Sequence, residues 1–331
     1  KPVMFRLEEL LRRPIPLAPD CVGLLSEQLA RSLQPGQCLL LENLRFHKEE
    51  EANDPDFAQA LARLASCYVN DAFSVSHRAH ASVSAITQFL QPAAAGLLMQ
   101  RELLALAQVL EHPKRPVVLI LGGARVSDKL GLIQNLLSRV DRLLIGGAMA
   151  FTFLKALAGE TGRSPVQHDL VATAKQILAE AERRKVEVVL PEDVVVATYP
   201  EDRARIWQCP ADRIPMAMNG LDIGTQTVNR FREALRDAAT VLWNGPVGMY
   251  EHAPFAGGTI ALAKIIAAHP GLTIAAGSDT AAAVRQAGVA DRIGYVSTAG
   301  TAFLEALEGR ELPGVAALTE TGSATHARAT A

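Results

Sequence analysis

The strongest constraint on this chain is a grammar that repeats through its second part: apolar strand, small or glycine-rich turn, helix. VVLILGGAR, RLLIGGAMAF, EVVLPEDVVVA, TVLWNGPVGMYE, LTIAAGSDTAA and IGYVSTAGTAFLEAL each open on an apolar run, and most go on to such a turn and a helical pattern. Strands that alternate with helices make a parallel sheet covered on both faces. Ligands of such sheets bind beyond the carboxyl ends of the strands, and the glycine-rich turns fall there.

The first part follows the same rule less regularly. PIPLAPDCVG, GQCLLLENLRF and SCYVNDAFSVSHR read as short strands ending in polar residues. VGLLSEQLARSL and DPDFAQALARLA read as helices, the second opening on the start signal Asp54-Pro55. AGLLMQRELLALAQVLE, about residues 95 to 111, reads as one long amphipathic helix, closed by a His-Pro-Lys-Arg-Pro break. The expected fold class is therefore α/β, with two doubly wound parallel-sheet domains joined by a helix. The expected boundaries are 1–94, a connecting helix 95–112, a second domain 113–310 and a C-terminal tail 311–331, whose last stretch TETGSATHARATA is small, polar and frayed. A cleft between two such domains can close and exclude water, which suits phosphoryl transfer.

Composition narrows the partners. A chain of 331 residues that is 49% hydrophobic has room for two cores. The net charge of −2 gives no general pull toward nucleic acid or an anionic membrane, so any anion site must be local. Cys21, Cys38, Cys67 and Cys209 form no CxxC pair and have apolar neighbours, which reads as buried free thiols in a reducing compartment. No run has transmembrane length and no signal sequence opens the chain, which points to the cytosol.

Four motifs carry candidate chemistry. LGGARVSDKL places two glycines after a strand, then Arg125 and Lys129, which share a face if helical. One glycine pair can simply end a strand; several at the same end of one sheet favour an anion or nucleotide site. GxxxxGK(S/T) and GxGxxG are both absent. GSDTAAA sets Asp279 and Thr280 at a helix start, either as an N-cap or as a carboxylate beside phosphate-bound Mg²⁺. Arg45, His47, His77, Arg78 and His80 follow two strands, where arginine suits bidentate capture of carboxylate and phosphate. His77 and His80 lack a third metal ligand nearby, and the run Lys48 to Glu51 reads as a solvated helix start. In VLWNGPVGMYE, Trp243 and Tyr250 suit packing, while Asn244 and Glu251 suit either packing or a nucleotide's phosphates and ribose.

Taken in order, ENLRFHKEEE, YVNDAF…HRAHAS, GGARVSDK, IGGAMAFTFL, LPEDVVVA, GLDIG, WNGPVG, GSDTA and LEGRELPG resemble the motifs of phosphoglycerate kinases, from about residue 1 to residue 318. The resemblance implies a glycolytic phosphotransferase of two α/β domains, the N-terminal one holding phosphoglycerate and the C-terminal one Mg-nucleotide. It implies Arg45 and Arg78 as the grip on phosphoglycerate. It implies Lys129, Gly220, in a turn near the nucleotide, Asn244, Glu251, Gly277, Ser278, Asp279 and Thr280 as nucleotide contacts. Asp279 would also meet the metal, and Arg125, Gly300 and Thr301 would act on the transferred group. The implied cofactor is Mg²⁺ with ATP or ADP, the substrates are small molecules, and a monomer without nucleic-acid or membrane partners is expected.

The chain also departs from the family pattern. Arg125 stands where the family has lysine. Ala148, Ala276, Ser278, Ala299, Thr301 and the Ser74-Val75-Ser76 run alter turns that are glycine-richer in the family. Each added Cβ is expected to hinder ligand approach or a positive-φ backbone. No Asp-x-Asn or His-x-Gly-Arg-Pro motif opens the chain, so the N-terminal domain is expected to be incomplete, with an exposed sheet edge. Two alternatives follow: a degenerate paralogue that binds Mg-nucleotide without efficient catalysis, and an NAD-type oxidoreductase. The missing GxGxxG argues against the second.

Overall fold

The structure, a computed structural model, describes residues 1–201 and 205–320. The part of the expected tail from residue 321 on lies outside the described residues. The chain divides into two compact units: Lys1–Arg101 together with the chain from Glu311 on, and Glu102–Arg310. The boundary falls inside the Leu97–Leu110 helix.

The second unit is built on a six-stranded, all-parallel sheet. Its spatial order is Tyr295–Val296, Leu272–Ala276, Thr240–Asn244, Val117–Leu121, Arg142–Ile145, Glu187–Val189. From Val117–Leu121 the chain first winds outward through Arg142–Ile145 and Glu187–Val189, then returns to the other side at Thr240–Asn244. The topological switch point therefore lies between Val117–Leu121 and Thr240–Asn244, where ligand crevices of open α/β sheets form. Every residue of these two strands is buried, as expected of strands covered on both faces. Val118, Ile120, Val241 and Trp243 pack with Phe231, Leu262, Ile266 and Val284 of the covering helices. Each such side chain contributes about 1.5–3 kcal/mol on leaving water.

The run EVVLPEDVVVA, read as one strand, is two. Glu187–Val189 ends the parallel sheet, and Asp193–Ala197 starts a separate antiparallel sheet with Trp207–Pro210 and Asn219–Ile223. Pro191 stands between them and has no N–H to continue a ladder. The buried Asp193 carboxylate accepts from Gln226 N, Thr227 N and the Thr227 hydroxyl, which fixes the start of the Thr225–Leu235 helix to this second sheet.

The first unit has much less sheet. Tyr68–Asn70 pairs in parallel with Ala93–Ala95, while the two earlier runs meet only at one Leu17–Leu40 bridge. Pro14, Pro16 and Pro19 remove three donors from the first of these runs. Its core gathers Cys21, Phe57, Ala58, Leu61, Ala81, Ala85, Ile86 and Leu90. The Leu24–Ser32 and Pro55–Ala62 helices form as read, and the Asp54 carboxylate caps the second through Phe57 N at 2.9 Å. Pro313–Glu320 is helical, and Gly314 N donates to Ser76 O.

Two local readings need correction. Glu50 is not solvated: it is 4% exposed, and its carboxylate takes the Ser82 amide and hydroxyl, which offsets the cost of burying the charge. Of the cysteines only Cys21 is buried; Cys67 is exposed, and Cys38 and Cys209 are half-buried, all four as free thiols.

Candidate active site

Turns after four parallel strands meet at the switch point. Gly122 N donates to Asn244 O, and Gly123 N to Pro246 O, so the first glycine turn lies directly on the Asn244-Gly245-Pro246 turn. A Cβ on Gly147 would stand 2.7 Å from the Gly123 backbone, and its φ of +66° is one that side chains rarely adopt; only glycine fits there.

A small polar cavity of about 160 Å³ opens beyond these strand ends. Lys129, Asn244, Gly277, Ser278, Asp279, Thr280, Gly300 and Thr301 line it. The Lys129 ammonium donates to Asn244 Oδ1, and Asn244 Nδ2 donates to Ala276 O at 2.7 Å. Gly245 N donates to the Thr280 hydroxyl at 2.7 Å. Asn244 and Thr280 are buried, so they tie neighbouring strand ends together as well as facing the cavity. Burial lowers the pKa of Lys129, while Asp128, Asp279 and Glu308 act to hold its charge. The Ser278–Gln286 helix starts here, with its free backbone N–H groups and positive dipole end at the cavity.

A second cavity, of about 350 Å³, adjoins it and shares Asp279. Its wall is mainly apolar, with Phe151, Pro165, Pro191, Val194, Val247 and Met249, and Gly220 and Glu251 also face it. Gly220 lies within the Asn219–Ile223 strand, at a register shift, rather than in a turn. Its missing side chain makes room for the Phe151 ring, which a Cβ would meet at 2.3 Å. A flat apolar slot beside a polar anion pocket has the form of a nucleotide site.

The remaining expected residues lie elsewhere. Arg125 lines neither cavity: it is exposed, bonded to Asp128 at 3.1 Å and outside any helix, so it does not share a helical face with Lys129. In the first unit Arg45 occupies the Leu44–Phe46 turn, 3.6 Å from Glu51, and Arg78 donates to His77 Nε2 at 3.3 Å. Both are exposed.

The altered turns impose less strain than expected. Among the described residues the non-glycine positions with positive φ are Arg12, Asn53, Ala158 and Lys185. None is a site position. Gly147, Gly277 and Gly300, which do have positive φ, are all still glycine. Thr301 opens the Thr301–Leu307 helix with ordinary helical backbone. Thr301→Gly is therefore expected to leave kcat unimproved while lowering stability by up to about 1 kcal/mol. Turnover and denaturant midpoints of the two proteins check this.

Two buried acids escaped the sequence reading. Asp222 lines the larger cavity and accepts from Gly258 N at 2.7 Å and Ile223 N at 2.9 Å; burial pushes its carboxyl up to about 7. Glu102 lies under Ser297 and Thr298, just ahead of Gly300, and burial raises its pKa too. GLDIG and QRELL mark where they stand, but a carboxylate in a motif carries no sign of its burial.

The fold and the two cavities define an α/β protein with a ligand crevice at the switch point of its parallel sheet. The comparisons with known proteins give the particular family. The phosphoglycerate kinase family model matches residues 1–310. A phosphoglycerate kinase of Anaeromyxobacter dehalogenans is 49% identical over 320 residues, covering 97% of this chain and 81% of the relative. One from Chlorobium luteolum is 50% identical, covering 96% and 81%. The structure of phosphoglycerate kinase from Coxiella burnetii superposes with a TM-score of 0.88 at 36% identity, covering 96% of this chain and 80% of that one. The chain belongs to the phosphoglycerate kinase family.

Proposed function

We propose that the chain catalyses phosphoryl transfer between 1,3-bisphosphoglycerate and ADP, and in reverse between ATP and 3-phosphoglycerate. The observation that carries this reading is the pocket at the switch point, where Lys129, Asp279 and a helix N-terminus converge on a space the size of a phosphate chain. Arrangement and charge neutralisation are what such a transfer asks of a protein. The phosphates take the small cavity. The base takes the apolar one, with Glu251 accepting from ribose hydroxyls. Gly300 and Thr301 border the transferred group. Arg45 and Arg78 hold the phosphoglycerate from the first unit. Arg125 needs a change of rotamer away from Asp128 to take part. Retention of glycine at each positive-φ site position supports catalysis over a purely binding role.

Asp279 also fits Mg²⁺. It is an exposed carboxylate shared by both cavities, and Mg²⁺ commonly takes one or two carboxylates plus substrate phosphate oxygens. The ion would neutralise phosphate charge. Asp279 is expected to hold it, while Lys129 holds the adjacent phosphate oxygens. No helix among the described residues is long and apolar enough to cross a membrane. We propose a cytoplasmic monomer acting on small molecules, with residues 1–94 as phosphoglycerate domain, 95–112 as connecting helix and 113–310 as nucleotide domain, and with the expected tail 311–331 grouped with the first unit.

The deciding assay supplies ATP, Mg²⁺ and 3-phosphoglycerate, and follows 1,3-bisphosphoglycerate through its coupled reduction. Turnover is expected. None at high protein concentration, with MgADP still bound, would leave only the binding paralogue. Asp279→Asn is expected to weaken MgADP binding by about 10-fold or more while leaving metal-free ADP binding little changed, because it removes a charged ligand of the ion. Calorimetric titration with and without a chelator separates the two.

A further inference from the structure

The histidines set aside as a metal pair, His77 and His80, are not the ones that gather ligands. A different set does. Asp20, Cys21 and His47 lie in the first unit, and one ligand atom from each falls within 4.8 Å of the other two. They come from separate loops: Asp20 and Cys21 precede the Leu24–Ser32 helix, and His47 caps the Lys48–Glu51 helix.

The hydrogens of this cluster are arranged around one carboxylate. His47 Nε2 is 2.7 Å from Asp20 Oδ1, and an ionised carboxylate there requires Nε2 to be the donor. Cys21 N donates to the same oxygen at 2.6 Å. The Cys21 sulfur lies within 4.8 Å of the ligand atoms of Asp20 and His47. An exchangeable hydrogen on His47 Nε2 thus occupies part of the space that a shared cation would fill.

The surroundings favour such a cation. Cys21 is fully buried in the core with Phe57, Ala58 and Leu61, which anchors the sulfur. The His47 ring lies 5.2 Å from the Phe57 ring, which fixes its orientation. Asp20 and His47 keep one side open to water, with side chains 48% and 29% exposed, so an ion can enter and a fourth position stays free. An imidazole, a thiolate and a carboxylate form a donor set for borderline-soft divalent ions, not for Mg²⁺. Ligand atoms of a tetrahedral zinc ion stand about 3.5 Å apart, so closing the cluster needs shifts of about 1 Å.

We propose that Asp20, Cys21 and His47 form a zinc-class metal site with three protein ligands and an open fourth position. On binding, the Cys21 thiol loses its proton to solvent and the imidazole moves its hydrogen to Nδ1, freeing sulfur and Nε2 for the ion. The site is separate from the Mg-nucleotide pocket and does not depend on it. It lies two residues from Arg45, so its occupancy bears on the phosphoglycerate side of the reaction.

Co²⁺ reports the geometry, because a tetrahedral thiolate site gives intense visible bands and a sulfur-to-cobalt charge-transfer band. The test uses the whole chain and a Cys38→Ser, Cys67→Ser, Cys209→Ser variant, which retains Cys21 as its sole cysteine. Both are expected to bind one Co²⁺ with these bands, and Zn²⁺ is expected to abolish them. His47→Gln and Asp20→Asn change half-buried groups at the open side of the cluster and are expected to weaken Co²⁺ binding at least ~100-fold with unchanged circular dichroism. Absence of the charge-transfer band in the single-cysteine variant overturns the proposal. So does an affinity unmoved by His47→Gln, which stands even if Cys21→Ser fails to fold. Competition by Mg²⁺ equal to that by Zn²⁺ overturns the assigned metal class.

Discussion

Lys129→Ala is expected to lower kcat/KM for MgATP by about 10²–10³-fold, the scale of losing one preorganised charge stabiliser. The lysine sits inside the polar cavity with its ammonium on Asn244 Oδ1, so it is held ready before a ligand arrives. Its removal leaves the Asn244 carbonyl oxygen unpaired and Asp279 without its positive neighbour. Both changes oppose binding of a polyphosphate. The KM for 3-phosphoglycerate is expected to stay near its wild-type value, because Arg45 and Arg78 belong to the other unit. Steady-state kinetics with each substrate varied in turn measures the contrast. Equal damage to both KM values would show that Lys129 supports the fold and not the phosphates.

Asp222 gives the second large effect, on stability. Burial raises its carboxyl from 3.8 to about 7 in the folded protein. Between those values the folded state keeps a proton that the unfolded state has lost. Stability therefore falls as pH rises through this window and levels off above it, by about 4 kcal/mol in all. Below the window the contribution is fully favourable. The cost of ionising is partly offset by the Gly258 and Ile223 N–H donors and by the start of the Gly257–Ala267 helix. Asp222→Asn has no proton to lose. Denaturant unfolding at pH 5, 6, 7 and 8 is expected to show the wild type losing stability relative to this variant as pH rises. Parallel pH curves for the two proteins would sink the assignment. Nucleotide binding is expected to follow the same pH window, because Asp222 stands in the wall of the larger cavity.

Legibility of the sequence varied with how local each determinant was. Five of the six parallel strands could be read as short apolar runs that turn at small or polar residues, while Glu187–Val189 was merged with the strand after Pro191. Asp54-Pro55 could be read because a cap is decided within four residues. The antiparallel sheet of Asp193–Ala197, Trp207–Pro210 and Asn219–Ile223 could not, since its partners are chosen by pairing across distant segments. The polar residues that line the small cavity were visible in GGARVSDK, WNGPVG and GSDTA. The apolar wall of the larger cavity was not: Phe151, Pro191 and Met249 look like any packing residues until the second sheet folds beside them. Backbone strain at the lost glycines was not legible for a similar reason. A glycine count does not say which position carries the positive φ, and the positions that carry it here still have glycine. Arg125 lies outward on Asp128, and the burial of Asp222 is disclosed by no spacing.

The bonds from Lys129 to Asn244, from Asn244 to Ala276 and from Gly245 to Thr280 join three consecutive segments of the pocket floor. Their consequence is thermodynamic. A floor cross-linked in this way has little conformational freedom left to surrender, so the unfavourable entropy of capturing a ligand there falls mainly on the ligand and on exposed groups such as Glu251 and Ser278. Amide hydrogens at Gly122, Gly123 and Gly245 should then exchange slowly with or without nucleotide, while affinity differences among nucleotides trace to the part of the ligand that must itself be immobilised.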